Sequence, residues 1–329
     1  MDRPDPSDRG EHYLSGRFPL TRGILSLRRK GLRMDWQRRM MAAIDYLERN
    51  LYGTADLEAA AKEANCSVFH FYRMFQVVTG IGPGEYLRRR RLSEAAMALS
   101  TGGRDKVIEL ALRFGYDSPD SFTRAFRREF GCLPTDARKR GVNLHSYPRM
   151  AFTVVLRGDT PMEYRIEEGP GFTLAGISIR VKTKDGSNFL DVPAFWDAVM
   201  TDGRWKALCG KGDFKRLGVC GVSRDFDMAA GAFTYSIAVN KPSTMEEMPE
   251  GSALFDVPAS TWGKFTSRGP LRPNLQDTIK RVFSEWLPAS DWEHAGTAEI
   301  EYFSAAVPQS SPDFWSEYWL PLRTGLHAR

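Results

Sequence analysis

The chain has 329 residues, a formal net charge of +5 and 42% hydrophobic residues, enough for two domains with a core in each. Its four cysteines, Cys66, Cys132, Cys209 and Cys220, form no C-x-x-C pair, which points to a reduced cytosolic chain rather than a disulfide scaffold. No apolar run approaches the length of a membrane span, and the five His have no metal-ligand spacing, so membrane and metal-centre classes are set aside.

Charge and aromatic content divide the chain in opposite senses. Residues 1–33 carry eight Lys and Arg against four Asp and Glu, and residues 34–145 carry 18 against 14. Residues 146–329 carry 20 against 23, together with seven of the eight Trp. A basic first half suits contact with phosphates.

Residues 1–33 are rich in Arg, Asp, Gly and Pro, lack the apolar core of a signal peptide, and are expected to be disordered. Met34 begins a helical pattern and is a candidate start of translation. A helix is predicted from about Asp35 to Leu51, with Trp36, Met40, Ile44 and Leu47 on one apolar face.

An ungapped repeat follows, residues 57–83 against 108–134. Glu58, Ala60, Ser67, Phe71, Arg73, Phe75, Gly80 and Pro83 recur as Glu109, Ala111, Ser118, Phe122, Arg124, Phe126, Gly131 and Pro134. Two copies are too few for a solenoid, so a tandem module is expected. Each reads as a short helix, a turn and a second helix with an Arg on its polar face.

In the first copy Asp56 caps a helix burying Leu57, Ala60 and Ala61, and Ser67 caps the next, with Phe71, Met74 and Phe75 inward. Phe69, Tyr72 and Arg73 fall on the other side, available to DNA. In the second copy Asp105 is the expected cap, and Ser118-Pro119 marks a helix start. Phe122, Ala125, Phe126 and Phe130 face inward there, and Asp120, Ser121 and Arg124 outward. Arg127 and Arg128, one turn on, suit phosphate contacts. Between the copies, 83–100 reads as one helix burying Tyr86, Leu87, Ala95 and Leu99. Its Arg88–Arg91 run is expected to mix solvated and ion-paired side chains.

After residue 161 strands dominate: Tyr164 to Glu168 and Phe172 to Val181 around a Gly-Pro-Gly turn, a helix from about Val192 to Thr201, then strands at 217–223 and 233–239. A second round has strands within 253–267, a helix from Asn274 to Leu287, and strands at 298–305 and 317–322. A short β-like run, Ala151 to Arg157, precedes them. The pattern is β-α-β-β twice, so the fold class is multidomain: an all-α tandem helix-turn-helix domain followed by an α+β domain with a pseudo-two-fold axis.

Within that domain A-E-I-E-Y-F places Glu299, Glu301 and Phe303 on one strand face, with Ile300 and Tyr302 on the other. The two acids read evenly as a solvated face or as a functional site, and the Trp content favours the second. Trp196, Trp262 and Phe303 are candidate aromatic walls of an effector pocket. A carboxylate among aromatic walls suits a flat cationic ligand. No H-E-x-x-H, G-x-G-x-x-G, P-loop or G-x-S-x-G motif is present, so no cofactor and no catalytic residue is indicated.

The segments S-V-F-H-F-Y-R-M-F, T-G-I-G-P-G-E-Y-L and F-G-Y-D-S-P-D-S-F-T-R-A-F-R-R-E-F-G-C-L-P resemble the DNA-binding domain of AraC-family transcription regulators over about residues 36–142. The resemblance implies two helix-turn-helix units, joined by a long helix, on an asymmetric site of double-stranded DNA. It implies base reading by Phe69, Tyr72 and Arg73 in one half and by Asp120, Ser121 and Arg124 in the other. Aromatic Phe69 and Tyr72 depart from a hydrogen-bonding reader and suit thymine methyls instead.

The segments M-E-Y-R-I-E-E, A-E-I-E-Y-F and E-Y-W-L-P-L make residues 162–323 similar to the GyrI-like effector-binding domain. That resemblance implies a pocket for a small-molecule effector, as in multidrug sensing, with Glu301 as the pocket acid and Glu299 as the fallback. The expected organisation is an extension at 1–33, a DNA-binding domain at 34–145, a linker at 146–161 and an effector domain at 162–329. The function implied is cytoplasmic transcription regulation, in which a ligand changes DNA occupancy or RNA polymerase contact. Hydrolysis of a reactive small molecule by the second domain is the alternative.

Overall fold

Helix α1 (Arg28–Arg49) opens the computed structural model, which describes residues 28–325 apart from 54, 102–104, 140–141, 152–160, 184–186, 212–216, 246–247 and 305–306. The helix starts upstream of the expected Asp35, so residues 28–33 are helical; the rest of the expected disordered extension, with the β-like run beyond Ala151, lies outside the described residues. Trp36, Met40, Ile44 and Leu47 are buried along one face, as their spacing predicts.

The repeat folds as two helix pairs. In the first, α2 (Leu57–Glu63) is capped by Asp56, which accepts the Glu58 N–H at 2.8 Å. Ser67 accepts the His70 N–H at 3.2 Å to start α3 (Val68–Thr79). After the connecting helix α4 (Pro83–Ser100), the second pair is α5 (Val107–Arg113) and α6 (Pro119–Phe130), the latter capped by Ser118 on the Ser121 N–H at 3.1 Å. Both long repeat helices end on a left-handed glycine, Gly80 (φ 82°) and Gly131 (φ 73°), a conformation that costs a side-chain-bearing residue. One cap differs from expectation: α5 begins after Lys106, whose N–H is held by Glu109 Oε2 at 2.8 Å, while Asp105 pairs with Arg113 at 2.8 Å.

All four arginines of the 88–91 run have partners. Arg88 binds Glu85 and Glu129, and Arg89 binds Glu85. Arg90 forks onto Glu48 at 2.9 and 3.0 Å and also reaches Glu94 and the Tyr147 carbonyl. Arg91 donates to the Asn50, Leu51 and Gly53 carbonyls, where a cation complements the C-terminal end of α1. The run therefore ties α1, α4 and the 145–150 segment together.

The second half is one antiparallel sheet of nine strands among the described residues: β1 (Tyr164–Gly169), β2 (Phe172–Lys182), β3 (Cys220–Asp227), β4 (Ala232–Asn240), β5 (Ala253–Val257), β6 (Ser260–Arg268), β7 (Trp292–His294), β8 (Glu299–Phe303) and β9 (Trp315–Thr324). Their order is β1-β6-β9-β8-β3-β4-β2-β5, with β7 on β9. The Gly-Pro-Gly turn does not make a hairpin: β1 pairs with β6 and β2 with β4 and β5, so each half of the sheet takes its edge strand from the other round. The halves meet at β3 and β8, where Gly221 lies opposite Glu301 and Ser223 opposite Glu299. This exchange gives the pseudo-two-fold arrangement the strand pattern predicts.

Helices α7 (Asn188–Thr201) and α8 (Arg204–Lys211) follow β2; α9 (Leu271–Arg281) follows β6 and runs on through a π segment, Val282–Trp286, and a 3-10 turn, Leu287–Ala289. Two short elements, α8 and β7, were not anticipated, because segments this brief carry too little periodicity to register.

The cores do not follow the expected domain boundary. Trp36 and Ile44 of α1 and Phe71 and Phe75 of α3 form one continuous cluster with Phe265, Phe283, Phe303 and Tyr318 of the second half. The second pair has its own cluster around Leu110, Phe114, Phe122 and Phe126.

Candidate functional site

A cavity of about 1060 Å³ lies over the sheet between α7 and α9, and α3 supplies one of its walls. Pleating decides which strand residues reach it. Glu299, Glu301 and Phe303 of β8 line it, while Ile300 and Tyr302 join the core on the opposite face. Tyr235 and Phe233 come from β4, Trp196 and Val192 from α7, Leu275 and Ile279 from α9.

Of the candidate pocket residues, the structure brings Glu301, Glu299, Phe303 and Trp196 together and leaves out Trp262. On β6 alternation sends Phe265 to the cavity-side core and Trp262 to the other face, where it is 1% exposed and packs against Trp319. A Trp count signals aromatic richness but not facing, so the sequence could not place this residue.

A relay of hydrogen bonds fixes Glu301. The Trp196 indole N–H donates to the Tyr235 hydroxyl at 2.8 Å, and that hydroxyl donates to Glu301 Oε2 at 2.7 Å. Gly221 makes room for the pair: a Cβ there would fall 2.2 Å from the Tyr235 hydroxyl and 2.9 Å from Glu301 Oε2. Burial pushes the Glu301 carboxyl above its ordinary range and the neighbouring Glu299 charge adds to this, against the Tyr235 hydrogen bond. Tyr235 escaped the sequence reading although F-T-Y-S-I places it with Phe233 and Ile237 on one strand face.

Glu299 is held differently. It accepts Arg73 Nε at 2.6 Å and Arg73 Nη2 at 2.5 Å, a two-pronged ion pair with side chains 14% and 2% exposed. His294 Nδ1 accepts the Gly296 N–H at 2.8 Å, so its Nε2 carries the hydrogen that reaches Glu299 Oε1 at 2.9 Å. Burial alone would raise the Glu299 carboxyl; the Arg73 charge and the two donors outweigh it and hold the group well below the usual carboxylate range. Burial pushes His294 down, keeping the ring neutral.

The candidate DNA-reading residues therefore divide by copy. In the second copy Asp120, Arg124, Arg127 and Arg128 are exposed, and the Ser121 hydroxyl is tied to the Ser118 carbonyl at 2.8 Å. In the first copy the expectation of an outward face available to DNA is corrected for this conformation, because that face packs on the sheet domain. Phe69 lies edge-on to Phe226 at 5.2 Å and against His294 at 4.7 Å. Tyr72 is 9% exposed, its hydroxyl 3.3 Å from Thr183 Oγ1. His70 is buried and its Nδ1 accepts the His294 backbone N–H at 3.1 Å.

Residues 60–140 match a family described as a helix-turn-helix domain, and residues 165–322 match one described as an integron-associated effector binding protein. The chain is 36% identical to the regulatory protein SoxS of Salmonella typhimurium over 107 residues, 32% of this chain and 99% of SoxS. It is 39% identical over 94 residues to the right origin-binding protein of Escherichia coli, 29% of this chain but only 32% of that protein. Among solved structures, the integron cassette protein VCH_CASS2 of Vibrio cholerae aligns with 49% of this chain and 95% of its own, at 20% identity and a TM-score of 0.38. No helix among the described residues is long and apolar enough to cross a membrane. The chain belongs to the AraC-type helix-turn-helix transcription regulators, its DNA-binding domain followed by a GyrI-like effector-binding domain.

Proposed function

We propose that this regulator senses a flat, cationic aromatic effector in the cavity between α7 and α9, and that occupancy there alters its hold on DNA or its contact with RNA polymerase. The observation that carries the reading is a half-buried carboxylate, Glu301, lining a cavity walled by Trp196, Tyr235, Phe233 and Phe303 and held there by Tyr235. A carboxylate removed from water favours a cation over its neutral isostere, and aromatic walls favour a flat one. One matching relative is named a regulatory protein and the other an origin-binding protein, and we take the cavity as a binding rather than a hydrolytic site.

On the DNA side, Asp120, Ser121 and Arg124 would read bases in one half-site and Phe69, Tyr72 and Arg73, once α3 leaves the sheet domain, in the other, with Arg127 and Arg128 on phosphates. The working boundaries are a DNA-binding domain over residues 34–145, a linker over 146–161 and an effector domain over 162–329.

The test is titration of the full chain with 1-methylquinolinium and, at pH 8, neutral 2-methylquinoline, followed by Trp fluorescence. The parent should prefer the cation by about tenfold, and Glu301→Gln should abolish the preference while leaving DNA binding intact. Equal affinity of the parent for both probes would remove the basis for a cation pocket.

A further inference from the structure

The guanidinium of Arg73 sits in a complete cation site. Glu299 grips it with both carboxylate oxygens, at 2.6 and 2.5 Å. The Phe226 and Phe283 rings face it, their centroids 5.6 and 5.5 Å from Cζ. His294 steadies the carboxylate from behind. Charge pairing, a matched fork and two π faces are the elements that recognise a guanidinium or aromatic cation, and all belong to the effector domain. Arg73 belongs to α3, a helix of the DNA-binding half. Its counterpart Arg124 faces solvent.

We propose that the recess formed by Glu299, Phe226 and Phe283 is a second cation subsite of the effector cavity, for a guanidinium or similar flat cation, and that Arg73 fills it as a ligand supplied by the chain itself. The inference deepens the effector reading above and rests on it. Glu299 and Arg73 both line the cavity that Glu301 lines, so a ligand entering that cavity reaches the edge of the ion pair. Glu299 and Glu301 stand two residues apart on one strand face, roughly 6–7 Å between backbones. A ligand cation at Glu299 and a second positive or aromatic group near Glu301 would satisfy both ends.

Competition for Arg73 links the cavity to DNA. With Arg73 on Glu299, Tyr72 against Thr183 and Phe69 against Phe226, the first reading helix cannot enter a major groove. A cation that takes Glu299 withdraws the ion pair from the docked state and shifts the population toward a free α3. Since DNA requires the same free state, cation and DNA strengthen each other's binding.

The experiment uses the full chain, benzylguanidinium as probe, and a DNA fragment selected by the purified parent. An internal competitor that fills the site nine-tenths of the time lowers apparent affinity about tenfold, so Arg73→Gln should bind benzylguanidinium about tenfold more tightly than the parent. Arg73→Lys, which keeps charge but loses the fork, should gain about threefold and serves if the Gln variant does not fold. Arg73→Gln/Glu299→Gln should lose the gain. Glu299→Gln should bind the selected DNA about fivefold more tightly than the parent without any probe, because docking then buries an unpaired Arg73. Unchanged benzylguanidinium affinity in the Arg73 variants, while 1-methylquinolinium still shows its charge preference in the parent, overturns the subsite and leaves the effector reading standing. Failure of both cations to bind any variant overturns both.

Discussion

Tyr235 donates its hydroxyl hydrogen to Glu301 at 2.7 Å while accepting the Trp196 indole N–H at 2.8 Å, so one phenol joins a cavity wall to the half-buried acid on its floor. The acid lies over Gly221, whose missing side chain leaves the space both groups occupy. Three strands and one helix thus converge on a single carboxylate.

That carboxylate should make stability depend on pH in a defined direction. Its folded-state pKa is raised above 4.5, so the folded protein binds more protons and stability falls as pH rises through the interval between the two values. Glu299, held low by Arg73, stays ionised across this window. Glu301→Gln removes the titration and keeps an oxygen for Tyr235. The variant should melt above the parent at pH 7, and the gap should close near pH 4. Coincident melting curves at pH 7 would show that the acid gains no protonation on folding.

Gly221→Ala adds a methyl 2.2 Å from the Tyr235 hydroxyl and 2.9 Å from Glu301 Oε2, in a place those two side chains occupy. The cost should be about 1–3 kcal/mol of stability, with loss of 1-methylquinolinium binding as Tyr235 and Glu301 are displaced. Urea denaturation and the fluorescence titration measure the two effects. A variant with parental stability and probe affinity would mean that the relay does not shape the cavity.

Arg124 and Arg127 should separate base reading from phosphate contact. Arg124→Ala should cost about 1–3 kcal/mol on selected DNA and little on random DNA. Arg127→Ala should weaken both alike and reduce the slope of log affinity against log salt by about one. Equal losses on the two DNAs for Arg124→Ala would move that residue to the phosphate class.

Arg90 and Arg89 are neighbours in one run of charge with different expected weights. Arg90 is 8% exposed and joins Glu48 of α1, Glu94 of α4 and the Tyr147 carbonyl. Arg90→Ala leaves Glu48 with no charge partner among the described residues and only the Tyr86 hydroxyl at 2.6 Å, and should cost about 3 kcal/mol in urea denaturation. Arg89 pairs with Glu85 of its own helix and stacks on the Tyr147 ring at 4.9 Å, and Arg89→Ala should cost less, about 1 kcal/mol. Similar losses for the two would indicate that the tie to α1 adds nothing.

Short-range signals carried much of the architecture. Asp56, Ser67 and Ser118 cap the helices they were expected to cap, because a cap needs only a side-chain oxygen two or three residues from an unpaired N–H. The duplication is ungapped because each copy solves the same local packing problem. Alternation along A-E-I-E-Y-F placed Glu299, Glu301 and Phe303 on one face, since a strand has no other way to dispose them.

What the chain does with Arg73 was decided elsewhere. Arg73 and Arg124 share the same local sequence position, yet one is half-buried on Glu299, 226 residues away, and the other faces solvent. No local rule contains a partner at that distance. One trace of the difference was visible: at the positions where α6 carries Asp120 and Thr123, α3 carries Phe69 and Tyr72, an aromatic face better suited to a protein surface than to water. The facing of Trp262 was likewise open, because period-two alternation fixes which residues share a face but not which face the helices cover. The amino-acid sequence by itself determined the helix pairs, their caps and the strand with its two acids. Tertiary structure alone decided that the first reading helix closes the cavity those acids line, because only packing brings residues so far apart into contact.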